Sequence, residues 1–138
     1  MKKKILIMGY IIILTIILML LTGCGESKLP YDQNDEYAKY IEAIRNGKLT
    51  YLNEDRTIGE LLDNALENTR WTHNTNYVPN GKEVPISITG TSRSTGEKIE
   101  IIYTVKEDTL NYSFESITID GVEGTLNEMI DLIESPTQ

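Results

Sequence analysis

The chain has 138 residues, with 13 basic and 21 acidic side chains, and a formal charge of −8. That is the length of one ordinary domain and not of two. The acidic balance argues against nucleic acid, whose phosphates select clusters of Lys and Arg, and against lying flat on anionic lipid, while the single cysteine, Cys24, excludes a disulfide within the chain.

The first 21 residues have two parts. Lys2, Lys3 and Lys4 make a basic start, and Ile5–Leu21 is then almost entirely Ile, Leu and Met. This is the charged and apolar layout of an export signal. The apolar run has 17 residues, about 26 Å as a helix, so length alone leaves an uncleaved membrane helix as the alternative. The run ends in Leu21-Thr22-Gly23-Cys24. That tetrad resembles the lipobox of bacterial lipoproteins, in which a branched apolar residue and two small residues precede a cysteine. The resemblance implies a diacylglycerol thioether on Cys24 and cleavage between Gly23 and Cys24. Residues 1–23 are then a removed signal peptide, and residues 24–31 are the lipidated cysteine and its tether. Two acyl chains suffice for stable attachment where one is marginal. The remaining 115 residues, with 10 basic against 21 acidic side chains, carry −11. A surface of that sign is first of all a soluble one, and it also favours cationic partners.

Residues 32–135 read as a single domain. In Asp32–Gly47, Tyr37, Tyr40, Ile41 and Ile44 recur at helical spacing, with Asp32 or Asn34 as cap and Asn46-Gly47 as stop. Thr57-Ile58-Gly59-Glu60 is a capping box. It opens a helix whose buried stripe is Ile58, Leu61, Leu62, Ala65 and Leu66. Gly59 lowers helix propensity there by about 1 kcal/mol against Ala, which points to close packing. After Asn68 the period becomes alternating: Trp71, His73, Thr75 and Tyr77 share one strand face. Pro79-Asn80-Gly81-Lys82 is a hairpin turn. Val84, Ile86, Ile88 and Gly90 form the next strand, with Pro85 suggesting a sheet edge or the strand's start. Ile99, Ile101, Tyr103 and Val105 form a third. Leu110, Tyr112 and Phe114 alternate in one phase and Ile117 and Ile119 in the other, which predicts a β-bulge near Glu115-Ser116. A second capping box, Thr125-Leu126-Asn127-Glu128, opens a last helix with Leu126, Met129, Ile130 and Ile133 in line.

The expected architecture is therefore α+β: a four-stranded antiparallel meander in the order α-α-β-β-β-β-α, covered on one face by helices and open to solvent on the other. The run from Thr57-Ile58-Gly59-Glu60 through Leu62-Asp63-Asn64 to Trp71 resembles a pattern in small bacterial envelope proteins, over roughly Lys48 to Ile133. The resemblance implies an extracytoplasmic α+β module and carries no catalytic residues. The layout also looks like cystatin-type or β-lactamase-inhibitor-type folds, a likeness of fold alone.

Few residues suggest chemistry. His73 is the sole histidine, and no glycine-flanked nucleophile accompanies it. Metal binding by His or Cys lacks ligands. Asp32-Gln33-Asn34-Asp35-Glu36 resembles a calcium loop, but Tyr37 and Ala43 stand where Gly and Glu belong, and helix capping is the better account. Glu60, Asp63 and Glu67 share a helix face, ordinarily a solvated one. Trp71, His73 and Tyr77 form a candidate binding patch, with core packing against the Thr57 helix preferred for Trp71. No cofactor is implied beyond the lipid on Cys24. The reading is a non-enzymatic interaction module, of inhibitor or immunity type in one version. It is lipid-anchored to the cell membrane through Cys24, faces outside the cytoplasm, and contacts an envelope protein through a sheet face or an edge near Val84. The alternative is a carboxylate-dependent cell-wall glycan hydrolase, which needs two acids about 5–9 Å apart in a cleft.

Overall fold

The computed structural model describes residues 28–52 and 55–135. Gly23, Cys24 and the rest of the predicted signal and lipobox lie outside these residues. The described elements are α1 (Ala38–Arg45), α2 (Ile58–Ala65), β1 (Leu66–His73), β2 (Glu83–Ser92), β3 (Lys98–Lys106), β4 (Tyr112–Ile119), β5 (Val122–Glu123) and α3 (Leu126–Glu134). The strands form one antiparallel sheet in the order β1-β2-β3-β4-β5. The class is α+β, with five strands in place of the four expected. The helices lie on one face: α1 against β2 and β3, α2 against α1 and β1, α3 against α2 and β4.

The apolar stripes explain the layering. Ile41 and Ile44 of α1, Ile58, Leu61 and Leu62 of α2, and Met129 and Ile133 of α3 are buried. They meet Trp71, Ile86, Ile88, Ile101, Tyr103 and Ile117 from the sheet. Leu126 is exposed and Ile130 half-buried, so the stripe of α3 is narrower than the sequence suggests. Both capping boxes form. Thr57 and Thr125 accept from the amides of Glu60 and Glu128, whose carboxylates accept from the Thr57 and Thr125 amides at 2.8 and 2.6 Å. Thr57→Ala and Thr125→Ala are each expected to cost about 1 kcal/mol, with serine at either position retaining most of it. Urea unfolding midpoints measure this, and an unchanged midpoint in both alanine variants would contradict it.

The first helix starts later than expected. Asp32 and Asn34 do not cap it. Asp32 Oδ1 accepts from the Asn34 amide and Asp35 Oδ1 from the Tyr37 amide, both at 2.9 Å. These two side-chain turns compete with helical pairing and delay α1 to Ala38. Gly59 is where α1 and α2 approach closely: a Cβ there would sit 3.0 Å from the Arg45 carbonyl oxygen.

The first strand starts earlier. α2 runs into β1 without a loop, since Leu66 is both the helix cap and the first strand residue. A bulge between Glu67 and Arg70, with Asn68 at φ 53°, adds one residue to β1. Leu66 and Trp71 are five apart and would face opposite ways in a regular strand; the extra residue puts both in the core. The bulge in β4 lies where the phase slip predicted it. Ile102 pairs Ser116 and Tyr103 pairs Phe114, which leaves Glu115 as the extra residue. Leu110 is not part of β4 but of the preceding turn, at φ 58°. β5 returns through Asp120-Gly121, both at positive φ, the signature of a two-residue hairpin turn.

Candidate functional site

Trp71, His73 and Tyr77 do not form one patch. Trp71 is 1% exposed, packed in the core beneath the helices. His73 stacks on Tyr37 at the start of α1, with ring centroids 3.9 Å apart and planes 11° apart. Tyr77 lies beyond the end of β1, in the 74–82 connection. There the Asn74 side chain accepts from the amides of Asn76 and Tyr77 and turns the chain out of strand geometry. The Tyr77 hydroxyl donates to Glu115 Oε2 at 3.1 Å, and Thr104 Oγ1 donates to Glu115 Oε1 at 2.7 Å. Thr104 points away from the core that holds its neighbour Tyr103, so Tyr77 has crossed to the opposite face of the sheet. Its hydroxyl pKa is raised by the bond to the Glu115 carboxylate and by burial.

That second face is not fully open. The connection carrying Tyr77 folds over it, and Ser87 and Thr104 are buried. Their hydroxyls are satisfied by Glu100, at 2.8 Å from Ser87, and by Glu115. The carboxylates here serve as acceptors for hydroxyls within the sheet.

An arrangement the sequence analysis missed surrounds Arg45. Its guanidinium makes a forked pair with Asp63, Nη1–Oδ1 3.2 Å and Nη2–Oδ2 2.7 Å. It also lies 5.1 Å from the centroid of Trp71 and 5.8 Å from that of Tyr31. Tyr31 in turn donates to Glu42 at 3.3 Å, and burial with that carboxylate raises its pKa. The only hint in the sequence was Gly59, whose missing Cβ leaves room for Arg45.

The three acids that share the α2 region each have a local partner. Asp63 pairs with Arg45, Glu60 closes the capping box, and Glu67 is 4.0 Å from Arg93. The Glu60 carboxyl is held below its ordinary range, chiefly by the Thr57 amide and then by the Thr57 hydroxyl. A depressed carboxylate stabilises the fold above its unfolded pKa of about 4.3, and the contribution is lost as pH falls through the lower folded value. Glu60→Gln is therefore expected to flatten the acid limb of a plot of stability against pH. An acid limb unchanged from the parent would show the box to be open in solution.

Two depressions among the described residues bear on the surface. One is lined by Asn80, Lys82, Glu83, Lys106, Glu107 and Asp108, where charges of both signs interleave. The other runs between the segment 28–35 and β1. The Trp71 amide donates to the Pro30 carbonyl at 2.9 Å, so the leading segment covers part of the outer edge of β1. β2 lies between β1 and β3, yet its pairing with β1 begins only at Ile86, so near Val84, where an edge was expected, Glu83 and Val84 pair with β3 alone. The open edge is on β4, because β5 pairs only with Thr118 and Ile119.

Among the described residues no group of three His, Cys, Asp or Glu side chains is placed to hold a metal ion, and no helix is long and apolar enough to cross a membrane. Comparisons with protein-family models, with curated proteins and with solved structures find no match.

Proposed function

We propose that the chain is a lipid-anchored, extracytoplasmic interaction module and not an enzyme. The observation that carries the anchor is the end of a 17-residue apolar run in Leu21-Thr22-Gly23-Cys24, with Cys24 the only cysteine. The position of the leading segment agrees with it. Six residue steps lead from Cys24 to Pro30, whose carbonyl is bonded to β1. Fully extended they reach about 20 Å, so β1 stays near the membrane. β4, the strand with the free edge, lies three strand spacings from β1, about 14 Å across the sheet.

The interaction role is supported by what the polar groups do. The acids that share the α2 region are bound to local partners, and Glu100 and Glu115 accept from neighbouring hydroxyls. A glycan hydrolase needs an acid with a raised pKa facing a second carboxylate in a cleft. The bound acids are engaged otherwise.

Cys24→Ser tests the anchor. It is expected to abolish acyl labelling, leave the precursor uncut at Gly23–Cys24 and shift the protein out of a detergent-rich phase. Normal processing and acylation of that variant would overturn the lipoprotein reading. A crosslinked pull-down of the lipidated protein from its own membranes tests the module. One stoichiometric protein partner supports it; recovery of cleaved wall glycan would replace it with hydrolysis.

A further inference from the structure

We infer that the outer edge of β4, from Tyr112 to Ser116, takes up an extended cationic segment of a partner protein as an added strand. This rests on the reading of the chain as an interaction module and names the surface it uses.

The edge has free backbone. Among the described residues β5 covers Thr118 and Ile119, and Gly124 reaches the Ile117 carbonyl at 2.8 Å, but no strand lies beside Tyr112–Ser116. The Asn111 carbonyl faces β3, where it accepts from Lys106. Alternation along the strand then turns the amides and carbonyls of Tyr112 and Phe114 outward. The opposite edge of the sheet differs, since Trp71 of β1 already donates to Pro30.

Charge selects the occupant. From Glu107 to the last residue the chain holds eight acids and no Lys, Arg or His. Glu107 and Asp108 lie at one end of the edge, Asp120 and Glu123 at the other, and Glu115 within it. A second copy would bring like charges together along the whole edge, which strand pairing penalises. A Lys- or Arg-bearing strand meets Asp108 at one end and Glu123 at the other, while Lys82 and Lys106 lie beside Glu107 and Asp108 and Glu115 already accepts from Tyr77 and Thr104. Val122, 70% exposed, and Leu126, 40% exposed, offer apolar contacts beside the acids. The bulge at Glu115 twists the edge and blunts indiscriminate pairing, so charge complementarity decides which strand is accepted.

The test uses the full lipidated chain in detergent and a ten-residue peptide alternating Lys and Val, followed by amide hydrogen exchange. Exchange at Tyr112 and Phe114 is expected to slow at least tenfold on saturation. The Glu–Val counterpart and the Lys–Val peptide N-methylated throughout are expected to bind at least tenfold more weakly. Asp108→Lys with Glu123→Lys, both on exposed turns or the edge, is expected to lower Lys–Val affinity at least tenfold without moving the thermal midpoint. Equal binding of the methylated peptide, protection centred on segment 28–35 or β1 instead, or no binding of the Lys–Val peptide would each overturn the β4 assignment. A native partner whose crosslinks map away from β4 would overturn it too, while leaving the interaction module standing.

Discussion

Trp71→Ala is expected to destabilise the domain by about 4 kcal/mol, whereas Trp71→Phe stays within about 1 kcal/mol of the parent. The alanine variant removes the largest side chain of the core from a site that is 1% exposed, between the helices and Ile88 of the adjacent strand. The cost combines lost transfer energy with the cavity left behind. The phenylalanine variant differs because of the indole N–H. Among the described residues Trp71 Nε1 is buried with no acceptor. An unsatisfied buried donor costs about 1–3 kcal/mol, and phenylalanine removes it along with part of the ring. The two effects oppose each other. Since whole domains are stable by only about 5–15 kcal/mol, the alanine variant loses a large share and its thermal midpoint falls by on the order of 15 °C. Urea unfolding of both variants decides the matter. Equal losses in the two would mean that the indole N–H has a partner in solution.

Arg45→Ala is the second large effect, at about 2–3 kcal/mol. Arg45 sits in the last turn of α1, where a cation also complements the helix dipole. Its side chain is 16% exposed, that of Asp63 42%. A fully exposed pair contributes about 0–1 kcal/mol, and a buried pair that loses one partner about 3–5 kcal/mol. This pair lies between those limits and is forked, which favours it. The aromatic faces of Trp71 and Tyr31 add cation–π attraction and lose packing when the arginine stem goes. Arg45→Lys is expected to recover less than half, because an ammonium cannot span both Asp63 oxygens. A double-mutant cycle between Arg45→Ala and Asp63→Ala isolates the pair. A coupling near zero, with Arg45→Ala itself costing below about 0.5 kcal/mol, would show that the arginine is solvated and not clamped.

Local patterns in the sequence carried the helices and the bulge in β4. Both capping boxes are four-residue signals, so Thr57 and Thr125 are readable without tertiary context. Glu115 is readable because Phe114 and Ile117 break the alternation on a strand otherwise well patterned. The same physics hid the start of β1. There the bulge falls between Leu66 and Trp71 in a polar stretch, Glu67-Asn68-Thr69-Arg70, with no apolar residues to mark the slip. β5 has two residues, too few for any period, although Asp120-Gly121 was a hairpin signal. The Arg45 arrangement joins positions 18 residues apart and has no local signature. Tyr77 was placed with Trp71 by counting in twos past His73, where the Asn74 turn had already ended the strand.

On the proposed anchoring, the bond between Pro30 and Trp71 has a mechanical consequence. Tension arriving along the leading segment meets this one backbone hydrogen bond first, and the covalent chain then carries it through Tyr31 into α1. A single hydrogen bond is the weakest link on that path, so it opens while the β1–β2 ladder stays paired. Stretch is thus taken up by a longer tether before any strand of the sheet is peeled.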